Sequence, residues 1–286
     1  MSMKHLQDIV LEGLLDVEGN EEKMDDMVAK EVLADWLGHA PGVRKTIGEW
    51  ISIAGDKLNY QGSVNIGEET KLLPEFVKLG EVTTLNISDN QKFFDKCKKQ
   101  LPYKVNQLYV GGIDIKDFEI DTLSATFFRD VKSIKNVKLN IPATRPGLTR
   151  NIFYIRFHVK KRDIEGLEIN GVNNIIVECD DCEIGNFAVN QVKYEVSSYK
   201  RKNGMFETRA ELNAFIMDVL YKHLPMDHID KYWNGVKRIV FKDRDGRFNN
   251  GVGLGYIVDD ILKSGDFMIE RNNKGEWVPY QKMFKI

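Results

Sequence analysis

Leu85-Asn86-Ile87-Ser88-Asp89-Asn90 sets out a phrase in which two apolar residues flank one polar residue and an Asn or Gly follows. The phrase returns as Leu108-Tyr109-Val110-Gly111, Val137-Lys138-Leu139-Asn140 and Leu167-Glu168-Ile169-Asn170, at steps of 23, 29 and 30 positions. Those steps lie near or slightly beyond the roughly 20–29-residue period of leucine-rich repeats. One short strand with its return segment cannot bury its apolar side alone, whereas stacked copies share a continuous core. The phrases therefore predict an irregular leucine-rich-repeat-like β-solenoid. Because the period drifts, ordinary hairpins in a β-rich domain stand as the alternative.

Around these phrases, short β-prone runs alternate with turn residues at 58–60, 64–66, 82–87, 107–110, 136–141, 152–159, 167–169 and 174–179. They define a repeat-like, β-rich domain over 51–196. Upstream, residues 1–50 hold eleven acids against five bases, a local balance of -6. Within them, Asn20 is a plausible N-cap for a helix over about 20–37, with Met24, Met27, Val28, Val32, Trp36 and Leu37 on its apolar face. Gly38 and Pro41 stop it. This is an acidic helical cap or targeting region.

Downstream, 197–286 reads as an α+β lobe, either separate or set as a cap on the solenoid end. Thr208 and Glu211 have capping-box spacing ahead of an apolar stripe containing Leu212, Phe215, Ile216, Val219 and Leu220. A strand over 236–241, a short helix near 256–263 and a hairpin turning at Asn272-Asn273-Lys274-Gly275 complete it. The expected fold class is thus α+β: helical cap, irregular solenoid, C-terminal lobe.

Composition narrows the function classes. Across 286 residues, Lys+Arg 41 against Asp+Glu 43 gives a net charge of -2, which disfavours a wholly basic nucleic-acid binder and a polyacidic mimic alike. Three cysteines cannot build a disulfide framework and suit a reducing compartment. No run of about 18 apolar residues occurs, so no membrane partner is expected, and Asp8 and Glu12 interrupt the apolar core that a signal peptide needs.

The charge is unevenly placed. From Arg129 to Asp163 there are ten Lys or Arg and two acids, a window of +8. On adjacent rungs, Lys138, Arg145, Arg150, Arg156, Lys160, Lys161 and Arg162 would gather into a basic face for a partner or a nucleic-acid backbone. A solvated surface balanced by the acidic N-terminus is the alternative.

Motifs for catalysis are missing. Cys179-Asp180-Asp181-Cys182 lacks the second ligand pair of a structural zinc site. Gly251-Val252-Gly253-Leu254-Gly255 lacks the Gly-Lys-Ser/Thr of a phosphate loop. Asp243-Arg244-Asp245-Gly246 lacks the rest of a calcium loop. Neither Gly-x-Ser-x-Gly nor His-Glu-x-x-His occurs. No catalytic residue, metal or cofactor is expected, and the chain reads as a non-enzymatic protein, with an enzyme of unrecognised type in the C-terminal lobe as an alternative.

The phrase Met3-Lys4-His5-Leu6-Gln7-Asp8-Ile9-Val10-Leu11-Glu12-Gly13 resembles the capsid-targeting peptides of internal head proteins in large tailed bacteriophages. By that resemblance, a prohead protease would cut between Glu12 and Gly13. The acidic helix, Asp56-Lys57-Leu58-Asn59-Tyr60-Gln61-Gly62 and the repeated phrases are similar to leucine-rich-repeat-like proteins of large phages and their bacterial hosts. The resemblance implies a phage protein in the host cytoplasm or the virion, with a virion or host protein as partner; nucleic acid through the basic window is the second expectation.

Overall fold

The computed structural model describes residues 26–38, 49–142, 152–158, 164–179, 194–195, 198–199, 201–204, 206–223, 226–242 and 267–279. Among them the chain runs α1 (Asp26–Trp36), β1 (Ile51–Ala54), β2 (Lys57–Ile66), β3 (Leu79–Ser88), α2 (Gln91–Cys97), β4 (Lys104–Gly111), β5 (Asp114–Arg129) and β6 (Ser133–Asn140). It continues with β7 (Ile152–His158), β8 (Ile164–Asn170), β9 (Asn174–Cys179), α3 (Arg209–His223), α4 (Met226–Tyr232), β10 (Arg238–Lys242), β11 (Phe267–Arg271) and β12 (Trp277–Pro279).

Alternation of apolar and polar residues gives each strand one inward face. Parallel pairing then brings those faces into line. Val64, Leu85, Leu108, Thr126, Ile155 and Val177 share one register row, and every one is fully buried. Ile66, Ile87, Val110 and Phe128 form the next row, also buried. At about 1.5–3 kcal/mol for each large apolar side chain, these rows are the main stabilising feature of the sheet.

The result is one mixed sheet of 12 strands. Its main ladder runs β1-β2-β3-β4-β5-β7-β9-β10-β11-β12. Pairing is parallel from β2 to β10 and antiparallel at both margins, in β1–β2 and β10–β11–β12. A second, shorter ladder, β5-β6-β8, branches from it.

β5 belongs to both ladders. Its first half pairs with β6 over Asp114–Asp121, and its second half pairs with β4 and β7. The pairing with β4 slips by one residue between Val105/Thr122 and Gln107/Ala125, which places a bulge at Leu123–Ser124. A bulge bends its strand, and this one turns β5 from one ladder into the other. The Thr122 hydroxyl donates to the Ala125 carbonyl across it, at 3.2 Å.

Helices close the edges of the short ladder. Along β5, the Gln91 side chain of α2 accepts from the Asp114 N–H at 2.7 Å and donates to the Asp114 carbonyl at 3.1 Å, standing in for a strand neighbour. Along β8, His228 of α4 donates through Nε2 to the Leu167 carbonyl at 3.3 Å. Burial pushes that imidazole below its ordinary pKa, and the carbonyl partly opposes the shift. Contacts of this kind obstruct pairing of a stray strand at these two positions. α4 is tied in turn to the β11–β12 hairpin, because Asp230 Oδ1 accepts from Arg271 at 2.7 Å and from the Trp277 indole at 2.8 Å.

These findings correct the expected cap, solenoid and lobe. The four sequence phrases are strands, yet they do not make one repeat. Those at Leu85 and Leu108 stack in the main ladder, while those at Val137 and Leu167 stack in the branch. The drifting period is the mark of two ladders, not of one irregular series. The C-terminal part is not a separate lobe either, since β10 pairs with β9 (Ile239 with Ile175) and extends the same sheet.

Nor is there an N-terminal cap within the described residues. α1 buries Ala29, Leu33 and Ala34 in the common core, its Trp36 lies 5.9 Å from Phe93, and its indole donates to the Lys71 carbonyl at 2.8 Å. The buried stripe sits one position along from the expected one. The capping box holds: the Glu211 N–H donates to Thr208 Oγ1 at 3.2 Å, and Glu211 Oε2 accepts from the Thr208 N–H at 3.0 Å. The hairpin also forms, with Asn272 Oδ1 accepting from the Lys274 and Glu276 N–H groups. The expected helix near 256–263 lies outside the described residues, as do the glycine run at 251–255 and the Asp243–Gly246 turn. No helix among the described residues is long and apolar enough to cross a membrane.

Candidate functional site

Where one row of side chains points inward, the next points out. On the main ladder an outward row runs Asn86, Tyr109, Phe127, Arg156 across β3, β4, β5 and β7. Beyond it lies Ser88, Gly111, Arg129, and the strands then end in turn residues Asp89, Gly112 and Asp130, all with positive φ. These residues line a groove of about 780 Å³ at the C-terminal ends of the parallel strands. That size is in the range of ligand-binding clefts.

The glycine pair shapes the floor. Gly111 lets its neighbours close up: a Cβ there would stand 3.0 Å from the Arg129 carbonyl and 3.7 Å from Ser88 Oγ. Gly112, at φ +65, leaves room for the Asp89 carboxylate, which a Cβ would strike at 1.8 Å. The turns stack through the backbone, with the Asp89 N–H donating to the Gly111 carbonyl at 3.1 Å and the Gly112 N–H donating to the Arg129 carbonyl at 3.3 Å. The turn chemistry thus positions Asp89 against Gly112.

Aromatic and charged groups occupy the walls. The Tyr109 and Phe127 rings stack at 4.5 Å with 8° between planes, and Tyr154 leans on Phe127 at 5.7 Å. The Tyr109 hydroxyl donates to Gln107 Oε1 at 3.3 Å, which fixes its ring. Arg129 and Asp130 pair at 3.6 Å on the open side, with side chains 87% and 60% exposed, so each screens the other. The groove as a whole balances Arg129 and Arg156 against Asp89 and Asp130.

Of the residues expected to form a basic face, Lys138 and Arg156 are among those described, and they lie apart. Arg156 lines the groove on β7. Lys138 sits on β6 in the branch ladder, in register between Glu119 and Glu168 and 3.7 Å from the latter. Arg145, Arg150, Lys160, Lys161 and Arg162 lie outside the described residues, as do Glu12 and Gly13. Asn86, Asp89, Tyr109 and Phe127 are not among the sequence-predicted site residues. Their signal was the polar slot inside each phrase, where Tyr109 puts a ring in a position that elsewhere carries Asn, Lys or Glu.

The opposite ends of the strands carry a second polar cluster. Lys104 donates to Glu81 at 2.9 Å and the Tyr103 hydroxyl donates to the same carboxylate at 3.0 Å, while Lys57 lies over the Tyr103 ring at 4.4 Å. Lys104, with Tyr103 assisting, holds the Glu81 carboxyl below its usual range. These groups satisfy one another and bridge neighbouring strands. Among the described residues no three His, Cys, Asp or Glu side chains are grouped to hold a metal ion. Cys97 is buried on α2, and burial raises its thiol pKa. Comparison with protein families, with curated proteins and with solved structures finds no match for this chain.

Proposed function

We propose that this is a binding protein without catalytic chemistry of its own, recognising a protein partner through the outward face of its main ladder. The observation that carries the reading is the row Asn86, Tyr109, Phe127, Arg156 across four parallel strands, set in the groove. Tyr, Phe and Arg are the side chains enriched at the centres of recognition surfaces, where a large rigid area is ordered at small entropic cost. The resemblance of Met3–Gly13 to capsid-targeting peptides supports a phage setting, with the host cytoplasm or the virion as its place of action.

Nucleic acid is the second reading, favoured by Arg129 and Arg156. Two features of the groove weigh against it. Asp89 and Asp130 repel a polyanion, and the facing surfaces of Tyr109 and Phe127 already cover each other, where base stacking needs an open ring. Filter binding at low and high salt separates the two, since backbone binding is strongest at low salt.

The reading is tested with photoreactive benzoylphenylalanine placed at Tyr109 or, as a control, at Lys116 on the outward face of the branch ladder. Irradiation in infected host cells is expected to give a heavier protein adduct from position 109 and none from 116. Equal adducts from both positions, or none from either, would overturn it.

A further inference from the structure

The groove has a polarity that defines the chemistry of its occupant. Asp89 stands at the β3 end and Arg156 at the β7 end, with the Tyr109–Phe127 stack between them. Arg129 and Asp130, paired with each other at 3.6 Å, leave that polarity largely unchanged. Arg156 also serves neighbours within the protein, and a guanidinium has five donors with which to serve a ligand as well. From β3 to β7 there are three strand spacings of about 4.8 Å each, roughly 14 Å across, and Asp89 lies three residues past Asn86 along the strand, which lengthens the direct span to roughly 17 Å.

An extended peptide advances about 3.4 Å per residue, so four steps cover about 14 Å, and long basic and acidic side chains at the two ends reach the few ångströms that remain. In an extended chain residues i, i+2 and i+4 face one way. Three side chains of one short segment would therefore meet the acid, the aromatic pair and the guanidinium together.

We propose that the groove binds an extended peptide lying across the strands, of the pattern basic-x-apolar-x-acidic, with its basic residue at Asp89, its apolar or aromatic residue on Tyr109 and Phe127, and its acidic residue at Arg156. This rests on the reading of the protein as a partner-binding module and specifies what that partner presents.

The test uses the full chain and three fluorescein-labelled peptides with Gly-Ser flanks, read by fluorescence polarisation at two salt concentrations. One carries Lys-Ala-Phe-Ala-Glu, one Lys-Ala-Phe-Ala-Lys and one Glu-Ala-Phe-Ala-Glu. The mixed-charge peptide is expected to bind on the order of tenfold tighter than either like-charge peptide. Arg156→Glu is expected to move the preference to the doubly basic peptide, a gain that a damaged fold could not produce. Tyr109→Ala is expected to weaken all three.

Equal binding of the three peptides, or an unchanged preference in Arg156→Glu, would overturn the proposal. So would a fifteen-residue oligothymidine that binds at low salt and displaces the mixed peptide, which would assign the groove to nucleic acid. Absence of peptide binding alongside a position-109 crosslink would remove the peptide pattern and leave the binding-protein reading standing. Absence of both would remove both.

Discussion

Asn90 locks successive passes of the chain together, and its replacement separates two roles that one side chain performs. Asn90 is buried, and its Oδ1 caps α2 by accepting from the Phe93 N–H at 2.9 Å. Its Nδ2 donates to the Gly67 carbonyl at 2.8 Å, with longer contacts to those of Thr70 at 3.3 Å and Glu68 at 3.4 Å, in the loop that precedes β3. Loss of a cap costs about 1 kcal/mol. Leaving these part-buried carbonyls without their donor costs about 1–3 kcal/mol more. Asn90→Ala should therefore destabilise by about 2–4 kcal/mol.

Asn90→Asp is the decisive variant. As a cap, Asp equals Asn. As a partner for three carbonyl oxygens it fails, because a carboxylate has no donor and brings like partial charges together. If both roles matter, Asn90→Asp loses about 2 kcal/mol or more despite an intact cap, and Asn90→Ser, which keeps the cap alone, loses a comparable amount. The assay is equilibrium unfolding in urea, followed by far-UV circular dichroism and by tryptophan fluorescence, Trp36 lying 5.9 Å from Phe93 in the same region. The midpoint should fall with the slope unchanged. An Asn90→Asp protein within about 0.5 kcal/mol of the parent would refute the reasoning and reduce Asn90 to a helix cap.

Two further outcomes follow from buried polar groups. Thr126 lies between Leu108 and Ile155 in the inner row, fully buried, and its hydroxyl has no hydrogen-bond partner among the described residues. Thr126→Val keeps the shape and should stabilise by about 1–2 kcal/mol in the same urea assay, whereas a loss would show the hydroxyl to be bonded. His228 has a folded pKa held below its ordinary value of 6.5, so the unfolded chain takes up that proton first as the pH falls. Its contribution is complete above about pH 6.5 and declines from there down through the depressed folded value. His228→Gln should gain on the parent between pH 7 and pH 5, and parallel stability profiles over that window would count against a buried neutral imidazole.

Local patterns were legible in the sequence, and distant pairings were not. Thr208 and Glu211 announced their helix because a capping box is complete within four residues. The strand phrases likewise fell on strands. Their division between two ladders could not be seen, because Leu85-Asn86-Ile87 and Val137-Lys138-Leu139 obey the same local rule. β5 carries no such signal. Asp117, at φ +50, breaks the alternation of its first half, the bulge at Leu123–Ser124 breaks it again, and Thr122 and Thr126 place hydroxyls where apolar residues are the usual sign of an inward face.

The groove was legible in part for the same reason. Arg156 stood out in a count of charges along the chain. Its neighbours Asp89, Tyr109 and Phe127 come from three other strands, and only the register brings the four together. The basic window spans the division between ladders, so its two described members, Lys138 and Arg156, part company. Lys138 went to a branch where it meets Glu168, and Arg156 went to the face with the aromatic pair.

The bend in β5 also limits how such a chain can grow. A simple stack lengthens by duplicating one unit anywhere along it, because every junction is alike. Here both ladders meet in a single strand, at one bulge with a fixed register on either side. A duplication that includes β5 would have to create a second branch point, while one placed in β2–β4 would extend only the main ladder. Gain or loss of units is therefore easiest on the β2–β4 side, and the stretch from β5 to β9 is expected to pass between related proteins as one indivisible block.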